Sequence, residues 1–478
     1  MDRRVRICPR SAHAWTCHLP SGVSRLAARS IGLTCAAVVA LAPAPPATAV
    51  SGRIPGAAGA GGLTGAAVPG STRSLPLVPL TRERVHGTAP EQGLYRAHLG
   101  RFALAGVVWN DPDTALRGRV QVRTRSVATG KWSGWQDVEA HNADHGADPG
   151  TAERSARSVR GATAPLWVGD SDGVDVRVSA GSSGTGGAPD GRAGASRSVL
   201  PPGLRLELVD PGKEKGGPGN PGEPLPGSPR TAPGTETAPP ASAAGITRSG
   251  ATAIPELDRR DTEREPTRLK GPTRAKPYVG PRPRIVTRRG WGADESLRRR
   301  GSVYTEKVKA AFVHHTASGN RYTCAQAPAV VRGIYRYHVR SMGWRDIGYN
   351  FLVDKCGTLY EGRAGGAAKA VLGAHTLGFN SNSMGIAVIG SYGASRPSSA
   401  AVKAVARLTA WKLGLYGGNP RGKTSLTSDG GNRYPRGRTV RLHVISGHRD
   451  GFATECPGKR LYGNLGTARS STARYQGR

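Results

Sequence analysis

Residues 212 to 282 set the strongest limit on how this chain can fold, because Pro, Gly, Ala, Thr and charged residues dominate them and leave little to bury. A stretch of that composition reads as a linker, partly extended by its prolines. It divides the 478 residues into an N-terminal segment, 77–211, and a C-terminal segment, 283–478, each able to form its own core. The totals of 68 Gly and 36 Pro agree that much of the chain is unpacked.

The first 49 residues have the pattern of a signal peptide. Arg3, Arg4 and Arg6 precede an apolar run, Ile31 to Leu41, and Ala47-Thr48-Ala49 offers small residues for cleavage after Ala49. At 11 residues the run is too short to cross a bilayer, which takes about 20. The mature chain is therefore expected to carry no transmembrane segment and to be secreted, associated with the cell wall. Cys35 follows Leu33-Thr34, a poor lipoprotein box, and Arg3-Arg4 is a weak signal for twin-arginine export. Residues 50–76, rich in Gly, Ala and Pro, read as a flexible lead-in.

The net charge is +35 from 68 basic and 33 acidic residues. The excess is spread along the chain without aromatic interleaving and without a zinc-finger, helix-turn-helix or RNP signature, which argues against a nucleic-acid partner. A basic, solvated surface suits anionic wall polymers instead.

Between 77 and 211, short apolar or alternating runs are separated by turn residues: Phe102 to Trp109, Val120 to Thr124, Trp132 to Val138, Leu166 to Val168, Val174 to Val178 and Leu204 to Val209. This spacing predicts a small all-β domain of the sandwich kind, with a loose Gly/Ser-rich insertion around 180–195. Trp109, Trp132, Trp135 and Trp167 are read as core in preference to a sugar-stacking platform.

The C-terminal segment mixes periods. Ala310 to His315 is a β-type apolar run, as are Tyr349 to Asp354, Met384 to Ile389 and His443 to Ser446. Pro328 to Met342 places Val330, Val331, Ile334, Tyr337 and His338 on one helical face, and Ser399 to Leu413 repeats that pattern behind a Ser cap. Strands and helices interleaved in this way predict one α/β domain, a mixed sheet flanked by helices.

Cleavage after Ala49 would remove Cys8, Cys17 and Cys35 and leave Cys324, Cys356 and Cys456, an odd number in an oxidising compartment. One thiol then needs a task other than a bridge. A catalytic zinc takes three protein ligands of N, S or carboxylate type and keeps a fourth position for water or substrate. The run Ser446 to Gly458 places His448 and Cys456 eight positions apart across a Gly-containing loop, close enough to converge on one ion. The run Phe312-Val313-His314-His315-Thr316-Ala317 offers the third ligand, and since neighbours on a strand face opposite sides, only one of His314 and His315 can enter. Spacing alone leaves that choice open.

In chain order these motifs are joined by Trp291-Gly292-Ala293, Gly343 to Phe351, Tyr360-Glu361-Gly362-Arg363, Gly373 to Asn380 and Ser383 to Ile386. Together they resemble the type 2 amidase family, which includes the animal peptidoglycan recognition proteins and the amidase-type phage lysozymes. The likeness covers about residues 284 to 465. It implies zinc held by His314, His448 and Cys456, with Tyr349 beside the metal and Thr454 at the position two before the Cys. Their hydroxyls are suited to donate to a developing oxyanion, and the general base is left unassigned. It further implies a substrate groove drawing on His375, His338, Trp344 and Asn380, and leaves His315 as a neighbouring packing residue.

Cys324 follows the His314 strand and Cys356 ends the Tyr349 strand, so we expect them to form a disulfide, with Cys456 the metal thiolate. The activity implied is hydrolysis of the amide between N-acetylmuramic acid and the L-alanine of a stem peptide, by a monomer whose partner is peptidoglycan. The alternative is a receptor on the same fold that binds the wall without cutting it. Such receptors typically lack the metal Cys, which this chain has.

Overall fold

The computed structural model describes residues 70–80, 91–140, 144–181, 199–212, 251–270 and 278–478. The signal-peptide reading, most of the lead-in and residues 213–250 of the linker lie outside that set. Among the described residues no helix is long and apolar enough to cross a membrane.

Strands β1 (Ser71–Pro76), β2 (Glu91–Arg96), β3 (Phe102–Trp109), β4 (Gly118–Ser126), β5 (Leu166–Ala180) and β6 (Arg205–Asp210) build the N-terminal domain. β6 lies antiparallel between β1 and β3. The 15-residue β5 serves two layers: its first part pairs with β3, whereas Val174 to Ser179 run between β2 and β4. Val120, Val122, Val174, Val176 and Val178 alternate inward and meet Leu206, Leu208 and Val107 in one core. Trp109 and Trp167 are buried as expected. Trp132 and Trp135 are not core: Arg123 lies over both rings and Arg177 over Trp135, at the surface of β4.

Within the segment read as linker, Ala253–Ile254 pairs antiparallel with Ile285–Val286, and helix α1 (Arg259–Lys270) follows. Arg282, itself buried, closes this stretch through the Pro255 carbonyl and Glu265.

The C-terminal domain is a seven-stranded mixed sheet. Its core strands are β7 (Ala310–His315), β8 (Phe351–Val353), β9 (Leu359–Glu361) and β10 (Ser383–Val388). A hairpin of β11 (Lys423–Thr427) and β12 (Thr439–His443) precedes the edge strand β13 (Ile445–Gly447). Helices α2 (Ala327–Arg336), α3 (Ser399–Leu415) and α4 (Leu465–Gln476) flank the sheet. β7 sits between β10 and β13 and runs parallel to both. Every residue of β7 and β10 is buried, as a parallel strand covered on both faces requires. α3 starts at Ser398, whose Oγ accepts from Ala401 N at 3.1 Å, and its Val405, Leu408 and Trp411 cover one face.

The other face is covered by α2 and the helical turn Tyr337–Ser341 that prolongs it, and here the two domains share a core. Leu104, Val108, Trp167 and Val209 pack with Val330, Ile334, Tyr337 and Met342. Tyr337 fills the space left by the missing side chain of Gly106, where a Cβ would collide with its phenol, and donates to the Thr163 carbonyl at 3.2 Å. Buried Glu207 of β6 accepts from Ser341 Oγ at 2.8 Å. These contacts fix the N-terminal domain against the face of the C-terminal sheet opposite α3.

Candidate metal centre

The strand period places the two histidines of β7. Ala310, Phe312 and His314 project to one face, and Phe312 packs there with Phe379, Leu426 and Leu442. Ala311, Val313 and His315 project to the other, where α3 lies. His315 is thereby committed elsewhere, its Nδ1 accepting from Tyr392 N at 3.3 Å.

Register brings the second residue in. β13 pairs with β7 so that Val313 stands opposite Gly447, and the next residue, His448, begins a short helix beside His314. The carboxylate of Asp450 accepts from Gly447 N at 2.9 Å and holds that helix start. The chain then doubles back: Arg449 N donates to the Cys456 carbonyl at 3.0 Å, and Cys456 N to Thr454 Oγ1 at 3.1 Å. Cys456 Sγ ends 3.8 Å from His314 Nδ1.

His314, His448, Cys456 and a fourth residue, His145, are buried and offer donor atoms that all lie within 4.8 Å of one another. Burial, reinforced by the neighbouring histidines His448, His145 and His375, holds His314 well below the ordinary imidazole range, which keeps it neutral and able to ligate. Burial, with Asp144 nearby, likewise pushes the Cys456 thiol up. A divalent cation reverses that balance, because it favours the thiolate it binds. Three imidazoles and a thiol with no carboxylate donor among them fit zinc better than magnesium or calcium, which select oxygen.

The remaining predicted residues fall around this cluster. Tyr349 is buried just before β8 with its ring 5.6 Å from that of His314, and burial pushes its phenol well up, so it keeps its proton. Thr454 Oγ1 donates to Asp144 Oδ2 at 2.7 Å. His375 stands behind His314, ring centroids 5.3 Å apart, fully buried over Gly385, where any Cβ would strike its ring. Its Nδ1 lies 3.0 Å from Thr376 Oγ1, which in turn lies 3.4 Å from His314 Nε2, a chain that orients the first ring. His338 is buried against Trp344, ring centroids 4.6 Å apart, and accepts from Gly348 N. Burial lowers its pKa to about 3. Asn380 is buried too, its Oδ1 accepting from the backbone of His375 and Thr376. Cys324 and Cys356 are joined by a disulfide, which ties the start of α2 to the turn after β8.

The sequence reading did not find His145, Asp144, Asp148 or Glu153, all on the connection between β4 and β5 of the N-terminal domain. Asn380 Nδ2 donates to the Gly146 carbonyl and to Asp148 Oδ1, both at 2.8 Å. Glu153 receives Arg363 at 2.8 and 2.9 Å, in a pair almost wholly buried. The signal was present as a long polar run, Asp144-His145-Gly146-Ala147-Asp148-Pro149-Gly150, inside an otherwise apolar-alternating domain. Residues 139–160 of this connection carry no strand period, and a stretch of that length is itself a pointer to a working loop.

Residues 304–459, which hold His314, His448 and Cys456, match the N-acetylmuramoyl-L-alanine amidase family. Residues 62–199, which hold His145, match the Rv3811 N-terminal galactose-binding domain-like family. Peptidoglycan-recognition protein SC2 of Drosophila simulans is 33% identical over 183 residues, 38% of this chain and 85% of that protein. An N-acetylmuramoyl-L-alanine amidase of Homo sapiens is 33% identical over 187 residues, 39% of this chain and 28% of the human one. Among solved structures, 38% of this chain aligns with 92% of peptidoglycan recognition protein LE, in complex with tracheal cytotoxin, at 30% identity and a TM-score of 0.30. The amidase-family match and the relative covered to 85% of its length carry the conclusion: through its C-terminal domain the chain belongs to the family of peptidoglycan recognition proteins and N-acetylmuramoyl-L-alanine amidases.

Proposed function

We propose that this protein is a secreted, zinc-dependent amidase of the cell wall that hydrolyses the bond between N-acetylmuramic acid and the L-alanine of the stem peptide. The observation that carries the reading is the buried group of His314, His448 and Cys456 with converging donor atoms. A receptor that only binds has no use for a buried imidazole and thiol set of this kind.

Zinc held there would supply a water of lowered pKa and polarise the scissile carbonyl. The chain's own residues do the rest. Tyr349, protonated and beside His314, is a donor for the oxyanion as it develops, and the Thr454 hydroxyl is a second once its present acceptor, Asp144, is exchanged for substrate. Thr376 and His375 keep the His314 ring from turning. His338, its ring centroid 5.7 Å from that of Tyr349, and Trp344 beside it are assigned with Asn380 to glycan and stem-peptide contact. The disulfide and the basic surface suit an extracellular, wall-associated protein.

The test is mass analysis of purified peptidoglycan after incubation with the full chain, zinc-loaded and chelated. The reading expects stem peptides with a free L-alanine amine and glycan stripped of peptide, in the zinc-loaded digest alone. Binding to the wall with every muramyl amide intact, by the full chain and by its His145→Ala variant alike, would replace it with the receptor reading.

A further inference from the structure

A catalytic zinc site keeps one position open, and here a side chain from the other domain joins the three donors. His145 completes the donor set, its ring centroid 4.6 Å from that of His448, 5.2 Å from His314 and 5.6 Å from Tyr349. We infer that His145 is a fourth protein ligand to the ion, and that residues 144–153 of the N-terminal domain shut the amidase centre in the resting chain. The inference rests on the metal reading above and adds to it that the enzyme is made latent.

His145 is not a chance neighbour, because the segment that carries it is seated by polar groups on both sides. The Asp144 carbonyl accepts from His448 Nε2 at 2.9 Å and from Leu377 N at 3.2 Å, and its carboxylate takes the Thr454 hydroxyl. Asp148 takes Gly378 N at 2.6 Å together with Asn380 Nδ2. Glu153 takes Arg363 and the backbone N of Arg345. All five residues from Asp144 to Asp148 are buried. The segment thus satisfies donors assigned above to substrate and oxyanion, Asn380 and Thr454 among them, and it presents carboxylates and carbonyls, the acceptors that a peptide substrate also carries. Four protein ligands in a tetrahedral site leave no place for water, which is the pattern of closed zinc sites and not of catalytic ones. Hydrolysis then requires the segment to withdraw.

Cobalt(II) in place of zinc reports coordination directly, and azide probes for an open position. The full chain loaded with cobalt should show a thiolate-to-metal band that azide leaves unchanged. His145→Ala should give a cobalt spectrum that azide shifts, bind zinc at least about tenfold more weakly in competition with a chelator, and cut peptidoglycan at least tenfold faster at saturating zinc. If azide shifts the wild-type spectrum as fully as the variant's, or if His145→Ala keeps wild-type zinc affinity, His145 is no ligand. A chain that takes up no cobalt with a sulfur band overturns the metal reading itself, a separate outcome. Glu153→Ala leaves the donor set intact and removes the partner of Arg363. It should give a partial azide response and protease cleavage within 144–153, and a variant as silent and as resistant as wild type overturns the latch.

Discussion

Cys456 is the residue on which the proposed chemistry depends most, since among the described residues it is the one thiol that the disulfide leaves over. Cys456→Ser should lower zinc content at least about tenfold and abolish hydrolysis, because serine does not ionise to a ligand near neutral pH. Affinity for muramyl peptides should change by only a few-fold, as the groove residues are elsewhere. Near wild-type zinc content and turnover would remove Cys456 from the centre. Lys412 on α3 is a second residue with a measurable signature. Its Nζ is buried 2.6 Å from the carbonyls of Ala367 and Lys369, and burial lowers its pKa to about 7, against a weaker opposing pull from Glu361. Unfolded, the same amine titrates near 10.4, so between about pH 7 and 10 the unfolded chain holds the extra proton. Stability should therefore rise with pH across that window, by up to about 1.4 kcal/mol per pH unit, and be flat in this term below pH 7. Denaturant midpoints of wild type and Lys412→Met, compared from pH 6 to 10, check this, and parallel profiles would sink it. Part of the candidate site was legible for a physical reason: a strand of period two admits only one of His314 and His315, though the period left open which, and the resemblance supplied the choice. His145 was not, because its partners are distant in sequence, and the polar run around it marks a loop without singling out one residue in it.

At the level of elements, the interface depends on the turn after α2. Tyr337 lies in the pocket over Gly106 and donates to Thr163. Tyr337→Phe should cost about 1 kcal/mol, the usual loss of one buried hydrogen bond whose carbonyl partner is left without this donor. Gly106→Val should cost several times more, since the phenol must leave and carry α2 with it. Urea melts read both, and the order of the two losses is the prediction: a Gly106→Val variant as stable as Tyr337→Phe would show that the domains do not meet there. Alternation and the 3.6 period exposed β3 to β6 of the N-terminal domain and β7, β8, β10, α2 and α3 of the C-terminal one, because each carries a clear apolar face or run, but they missed β1, β2, β9, β11 and α4. They were silent about the outer face of α2. Val330, Ile334 and Tyr337 looked like an ordinary core stripe, and nothing in the period says that the far side of that core is the other domain's β3 and β6.

That shared core decides how the whole molecule behaves. Two domains joined only by a linker would unfold separately, whereas here Leu104, Val108, Trp167 and Val209 are in the same cluster as Val330, Ile334 and Met342, and Glu207 and Glu153 are buried against the opposite domain. Cutting the chain between them would expose that apolar face and strand Arg363 without its carboxylate, a loss of several kcal/mol in a fold that has few to spare. Calorimetry of the zinc-loaded full chain should show one cooperative transition. Residues 251–478 alone should melt earlier, yet each folded copy should cut peptidoglycan faster than the full chain, because the fragment keeps His314, His448 and Cys456 and lacks His145. The two readings of the N-terminal domain separate on that point. A domain that serves only as a scaffold predicts a fragment that is both less stable and slower, and a domain that also closes the centre predicts one that is less stable and faster. Adding residues 70–212 back as a separate chain should then restore the melting temperature and lower the rate together, and a fragment whose rate per folded molecule rises on that addition would show the N-terminal domain to be an activator.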